Sequence, residues 1–488
     1  MTGKYNDSNS DSSNLDSKPM PGHHISNQHL NTTPSTLAKD SQITDQGTSQ
    51  VNITSAPIHT QTNAKLASNT MSHGKPTPEQ LETLRMASAF AYRIWEAKPN
   101  AVQAFLRSYP LATPLSEQQI KDLIRDYTLD EDCQVADDAT VMRGLRHLRN
   151  FLQLRWIWQD ALQLISLEQL TWELTKFADY CLIFAKDYVY QNLIKRYGEP
   201  IFYTGKNKPK VDDMAIIAMG KMGAQELNLS SDIDLIFVHQ GQGDTDGDKV
   251  NGTKSIDNKK FFTKWGQGII ELLDKHTQDG FVFRIDMRLR PSGQAGMMVV
   301  SAHAFELYQL QKAWAWEHQA LVRARAICGD HRVMTKFDRI RHTVLCLPRD
   351  KDSVRIEVST MRHKMQDHLG SDKHTKQKGL FHLKQDAGGL VDIEFIAQFA
   401  VLAYAYEYPA LATWSDNVRI FEVLGNSGLV DNDICHKLTQ AYLRIRAMTH
   451  RLALAENPIL VDEAEWYTLR SFVDEQWYHL IGQRPDHI

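Results

Sequence analysis

Residues 214–238, MAIIAMGKMGAQELNLSSDIDLIFV, constrain this chain more than any other stretch. An apolar run, Met214–Met219, ends at Gly220-Lys221-Met222-Gly223, and a second begins after Ser230-Ser231 at Asp232-Ile233-Asp234. Short apolar runs bounded by glycine and serine predict two buried strands, here joined by a glycine turn and a short helical stretch. Side chains alternate across a strand, so Asp232 and Asp234 share one face while Ile233, Leu235 and Phe237 share the other. Two carboxylates at the mouth of a buried strand are costly unless a cation lies between them. Hard oxygen ligands of this kind suit magnesium.

A third carboxylate stands in GFVFRIDMRLR, residues 280–290. Alternation through this segment puts Phe281, Phe283, Ile285 and Met287 on one face, with Val282, Arg284, Asp286 and Arg288 on the other. A strand here, lying beside the Asp232 strand, makes Asp286 the third ligand of a metal site. Arg288 and Arg290 then come within reach of phosphate oxygens. The glycine turn supplies backbone N–H groups and close approach, so Gly220, Lys221, Gly223 and Ser231 are the remaining nucleotide- or phosphate-binding candidates. The turn lacks the full spacing of a P-loop.

The length of 488 residues leaves room for two or three domains, and the net charge of −4 offers no electrostatic field for nucleic acid. Cys133, Cys181, Cys328, Cys346 and Cys435 form no CxxC pair. That usage suggests neither zinc nor a disulfide framework and fits a reducing cytoplasm. No apolar run reaches membrane length, and the N-terminus shows no signal-peptide core. Residues 1–75 are polar with hardly an aromatic, which predicts a disordered tail. His23 and His24 within it are read as solvated rather than metal-binding.

Thr77-Pro78 begins a helical region, with apolar side chains at helical spacing over 78–97, 139–163 and 166–196. Arg143, Arg146, Arg149 and Arg155 are expected on a solvated face, and Trp156 and Trp158 in the core. Gly241–Asn258 is rich in glycine and aspartate. It lacks the terminal glutamate of a calcium loop and is read as a surface connection, with Asp257 or Asn258 capping a helix to about Lys275. Beyond Ser301 helices are expected over 301–328, 331–345, 352–369, 388–406, 414–426, 431–456 and 462–482. Arg323 and Arg325 serve either a nucleotide or ion pairs with Glu317 or other acids. Lys384, Asp386, Asp392 and Glu394 surround Gly388-Gly389, where the acids cap a helix or form a second acidic site.

Several stretches together carry a family resemblance: GKMGAQELNLSSDIDLIF (220–237), DGFVFRIDMRLRPSG (279–293), AWEHQALVRAR (315–325), DAGGLVDIEFIAQ (386–398) and WSDNVR (414–419). In this order they resemble one catalytic unit of the glutamine synthetase adenylyltransferase/adenylyl-removing enzymes, within the DNA polymerase beta-like nucleotidyltransferases. The resemblance implies an α+β fold in which a small mixed-sheet nucleotidyltransferase domain (205–300) sits between mostly α-helical regions, an N-terminal one (76–204) and a C-terminal bundle (301–488). It implies Asp232, Asp234 and Asp286 as catalytic and magnesium-binding residues, with ATP or phosphate as co-substrate. A tyrosine hydroxyl of glutamine synthetase is the implied acceptor, and a PII signalling protein a further partner. AMP is transferred in one direction, or removed by phosphate to give ADP in the other.

The front of the chain looks more like the deadenylylating unit of that family, and the part after PSGQAGM more like the adenylylating one. Family members carry two such units and this chain shows one Asp-x-Asp, so a merger of repeats near Arg288–Gly293 is expected. Two other functions remain open, a uridylyltransferase of a PII-type protein and a binding-only regulator without turnover.

Overall fold

The computed structural model describes residues 76–482 apart from 131, 133, 204–208, 248–251 and 253. The expected tail through residue 75, with His23 and His24, lies outside the described residues, as do Cys133 and Asp248. The described residues belong to one compact unit.

At its centre is a five-stranded mixed sheet. Strand β1 (Met214–Met219) pairs antiparallel with β2 (Ile233–His239), and Met219 stands opposite Asp234. Strand β3 (Ile285–Asp286) lies parallel to the start of β2, and β4 (Val299–Ser301) lies parallel to its end. Strand β5 (Arg325–Cys328) closes the other edge antiparallel to β1. The sheet therefore draws one strand from beyond residue 300, inside the segment expected to be a helix over 301–328. That segment instead forms helices Ala302–Gln311 and Ala315–Val322 before β5.

Helices cover both faces, which is why β1 is buried at every position rather than alternating. Met214, Ile216 and Ala218 pack with Ile233, Leu235 and Phe237 against the N-terminal helices. Ala215, Ile217 and Met219 pack with Ile236 and Val238 against the C-terminal ones. By this alternation Asp234 faces the C-terminal helical layer.

The N-terminal layer is built on α1 (Asp138–Ala161) and α2 (Leu167–Tyr197). Trp156 and Trp158 are core residues as expected. The arginines of α1 are not all solvated: Arg146 and Arg155 are fully buried. Arg146 donates to the carbonyls of Leu272 (3.1 Å), Lys275 (2.5 Å) and Gly280 (2.9 Å), closing the C-terminal end of α3 (Asn258–Asp274). Arg155 pairs with buried Glu173 at 3.4 Å and donates to the Tyr109 and Pro110 carbonyls. Where α1 is enclosed, its cations are satisfied by backbone carbonyls and by Glu173, a pattern that periodicity does not reveal.

Asp257 caps α3 through the Lys259 amide, as expected. The C-terminal layer includes α4 (Leu390–Tyr404) and α5 (Asn432–Leu454), close to the expected bounds.

Candidate active site

Two strands deliver the acidic residues. Asp234 and Asp286 stand side by side in the parallel register of β2 and β3, and Asp232 precedes β2 by one residue. All three line a cleft of about 520 Å³ with Gly220, Lys221, Ser231 and Arg288. The strand expected over 280–290 is shorter than its alternation suggested. Val282 and Phe283 are both buried, and the Val282 amide donates to the Leu273 carbonyl at the end of α3. The strand itself is only Ile285–Asp286.

Burial, reinforced by the charges of Asp286 and Asp232, pushes the Asp234 carboxyl up to about 6. Asp286 is held below the usual carboxylate range, chiefly by hydrogen bonds from Arg288. Arg288 Nε and Nη2 reach Asp286 Oδ2 at 2.7 and 2.5 Å, and its amide reaches Oδ1 at 2.8 Å. Among the described residues no three acidic, His or Cys side chains are placed so as to enclose a metal. Asp286 is turned to Arg288, so the three carboxylates are neighbours without yet converging. Their chemistry nevertheless fits a divalent cation, because a cluster that already raises one member toward neutrality gains most from a positive charge.

The glycine turn is a single helical turn, Gly220–Gly223. Gly220 has φ +55°, and a Cβ there would come within 2.7 Å of Asp234 Oδ2. Lys221 projects into the cleft 3.5 Å from Ser231 Oγ. Burial, helped by the charge of Lys384, pulls its amine down to about 8. Gly223 is buried, and a Cβ there would lie 2.0 Å from the Arg323 carbonyl, so close packing against the chain before β5 accounts for this glycine. Arg290 donates to the carbonyls of Met287 (2.7 Å), Gln294 (3.1 Å) and Gly296 (3.3 Å). It also borders an adjoining hollow with Asp232, Asp286 and Arg288.

The opposite wall comes from residues far away in sequence. Lys384, Leu390, Glu394, Gln398 and Thr449 line the cleft from the C-terminal layer. Arg323 is an ion-pair residue, 2.5 Å from Glu394 and 2.6 Å from Glu226. Arg325 pairs with Asp179 at 2.9 Å. Glu317 serves neither arginine and caps its own helix at the Trp314 amide. Around the Gly388 turn, Asp392 accepts from the Gly388 amide and from Arg362, while Asp386 accepts from the Ser371 and His382 amides. Those two acids fasten the turn, and Glu394 alone of the three lines the cleft. Thr449 carried no sequence signal, and Gln398 only its place at the end of the 386–398 stretch, because only the approach of α4 and α5 gives them a common ligand space.

A strand, a glycine turn and an Asp-x-Asp strand with a third carboxylate in register are the arrangement expected of a nucleotidyltransferase fold. The particular family follows from comparison: a family model for glutamate-ammonia ligase adenylyltransferase matches residues 78–340, and the chain belongs to that family. A second model, for PII-uridylyltransferase, matches residues 359–458. Similar curated proteins are named bifunctional glutamine synthetase adenylyltransferase/adenylyl-removing enzyme. The one from Acinetobacter baylyi is 41% identical over 75% of this chain and 39% of its own length. That from Hahella chejuensis is 37% identical over 81% of this chain and 41% of its own length. That from Pseudomonas aeruginosa is 41% identical over 70% of this chain and 35% of its own length. The chain thus spans about two fifths of the length of these relatives.

The Hahella match covers 81% of this chain and so includes 288–293. No described helix is long and apolar enough to cross a membrane.

Proposed function

We propose that this chain is a catalytic unit that moves an AMP group between a nucleotide and a tyrosine hydroxyl of glutamine synthetase. The observation that carries this reading is the register of Asp234 with Asp286, beside Asp232, in one cleft with Lys221 and Lys384. Asp232, Asp234 and Asp286 are the residues that would hold magnesium, whose contribution is to neutralise charge gathering at the α-phosphate. Lys221 and Lys384 hold the outer phosphates, with Ser231 beside Lys221. Gly220 lets the chain pass close to Asp234. Arg288 is the cation that exchanges Asp286 for phosphate oxygens when a nucleotide enters. Gly223 and Arg290 contribute by shaping the turn and the loop behind it.

In the forward direction the tyrosine oxygen forms a bond to the α-phosphorus of ATP and the bond to the β-phosphate oxygen breaks. Pyrophosphate leaves and the phenol proton passes to solvent. In reverse traffic inorganic phosphate attacks the same phosphorus of adenylyl-tyrosine, the tyrosine oxygen leaves, and ADP forms. The same carboxylates serve both.

In domain terms, residues 76–204 brace a nucleotidyltransferase core at 205–300, to which β5 is added, and 301–488 supplies the facing wall. ATP and glutamine synthetase as substrates place the protein in the cytoplasm, with no membrane or nucleic-acid partner. The match to PII-uridylyltransferase over 359–458 supports a PII signalling protein as partner and keeps uridylyl transfer as the second reading. The test is incubation with magnesium and α-labelled ATP or UTP, with glutamine synthetase or a PII protein as acceptor. Label from ATP on glutamine synthetase is the expected result. Label from UTP on the PII protein favours the second reading, and nucleotide binding without any label leaves a binding-only regulator.

A further inference from the structure

The lining of the cleft is chemically mixed: the three carboxylates, Lys221 and Lys384 share it with apolar Leu390, Ala453 and Ile459. Into this lining α5 sets Thr449, 6% exposed, whose hydroxyl has no hydrogen-bond partner. A buried hydroxyl without a partner is uncommon and calls for a reason. Helical threonines in this chain have an easy remedy: Thr83, Thr128, Thr175, Thr263 and Thr439 each donate to the carbonyl four residues back. Thr449 does not take it. Beside it Gln398 also lines the cleft, its Oε1 accepting from Gln319 Nε2 at 3.4 Å, so its amide N–H groups are the donors it has for a ligand.

We propose that the apolar part of this lining is a nucleobase subsite, in which the base of ATP lies against Leu390, Ala453 and Ile459 and the Thr449 hydroxyl hydrogen-bonds its edge. This rests on the reading of the cleft as a nucleotide site. It adds that α4 and α5 choose the base, while Lys221 and Lys384 hold the phosphates. A cleft of about 520 Å³ is within the range that holds a nucleotide-sized ligand. An apolar floor with a few polar groups is how such sites combine affinity with orientation.

The test compares Thr449→Val and Thr449→Ser with the unaltered chain, titrating ATP, GTP and inorganic tripolyphosphate in the presence of magnesium. Valine keeps the shape and removes the hydroxyl, and since that hydroxyl bonds nothing in the protein the melting temperature should not fall. Thr449→Val should weaken ATP about three- to tenfold, the usual worth of one neutral hydrogen bond. It should weaken GTP by a different factor, leave tripolyphosphate unchanged, and Thr449→Ser should restore ATP. Unchanged ATP binding in Thr449→Val, or an equal loss for ATP, GTP and tripolyphosphate, overturns the subsite while leaving the nucleotide reading intact. Failure of the unaltered chain to bind either ATP or tripolyphosphate overturns both.

Discussion

Asp234 and Asp286 are direct neighbours across the parallel pairing of β2 and β3 although they lie 52 positions apart in the sequence. Placed this way, each raises the cost of the other's charge, and Asp234 bears most of it because it is the more buried of the two. Asp234→Asn removes that repulsion while preserving shape. The variant should lose AMP transfer and yet be more stable than the unaltered chain in EDTA at pH 7, by up to about 3 kcal/mol. Urea unfolding with and without magnesium checks this, since magnesium should stabilise only the unaltered chain. Normal turnover in the variant, or a lower unfolding midpoint in EDTA, contradicts the assignment.

Gly220→Ala tests the turn. A φ of +55° disfavours alanine, and its Cβ would press on Asp234 Oδ2. A cost of roughly 1–2 kcal/mol in stability is expected, with a far larger loss of activity because the carboxylate is displaced. A Gly220→Ala enzyme with full kcat and unchanged magnesium dependence would show that the close approach has no catalytic meaning.

The sheet's part of the cleft was legible in the sequence because it is local. Met214–Met219 and Ile233–His239 are consecutive strands with only the glycine turn and a loop between them, and alternation alone puts Asp232 and Asp234 on one face. Asp286 was reachable because its Arg-flanked strand is also a pattern. The bounds of α4 and α5 followed from helical spacing. What α5 does with Thr449, or α1 with Arg146, depends on which backbone carbonyls and which helices arrive from elsewhere, and periodicity carries no record of that. The same holds for β5: Arg325–Cys328 has no strand signature of its own, and the edge of β1 makes it one.

His450 gives a pH dependence. It is buried on α5, and burial together with the charges of Arg446, Arg451 and Lys221 lowers its imidazole to about 4, despite Asp160 at 3.9 Å. A depressed imidazole means the unfolded chain takes up a proton below its ordinary value near 6.5, before the folded chain does. Stability is therefore unaffected above that value and falls as pH drops toward 4, by about 3 kcal/mol in all. His450→Gln should flatten this part of the profile in denaturant titrations at pH 7, 6, 5 and 4. An unchanged slope in the variant would assign the acid sensitivity to other groups.

Glu226 joins the two halves of the site. Its carboxylate accepts from the Tyr442 hydroxyl at 2.6 Å and from Arg323 at 2.6 Å, with Arg446 at 3.5 Å. Its own amide donates to the Lys221 carbonyl at 2.8 Å, and its carbonyl accepts from Arg446 at 3.2 Å. Four elements distant in sequence thus meet at one buried anion: the glycine turn, the segment before β5, α5, and through Arg323 also Glu394 on α4. Removing Glu226 takes the counterion from Arg446 and one of the two from Arg323, which is where most of the cost arises. Glu226→Ala should lose roughly 3 kcal/mol or more of unfolding free energy. Glu226→Gln, which can still accept from Tyr442, should lose less. If the carboxylate also sets the distance between the sheet and the α4–α5 wall, Glu226→Gln will raise KM for the nucleotide more than it lowers the unfolding midpoint. A Glu226→Ala variant as stable as the parent would mean that the C-terminal layer holds its place without this anion, and that apolar packing alone fixes the width of the cleft.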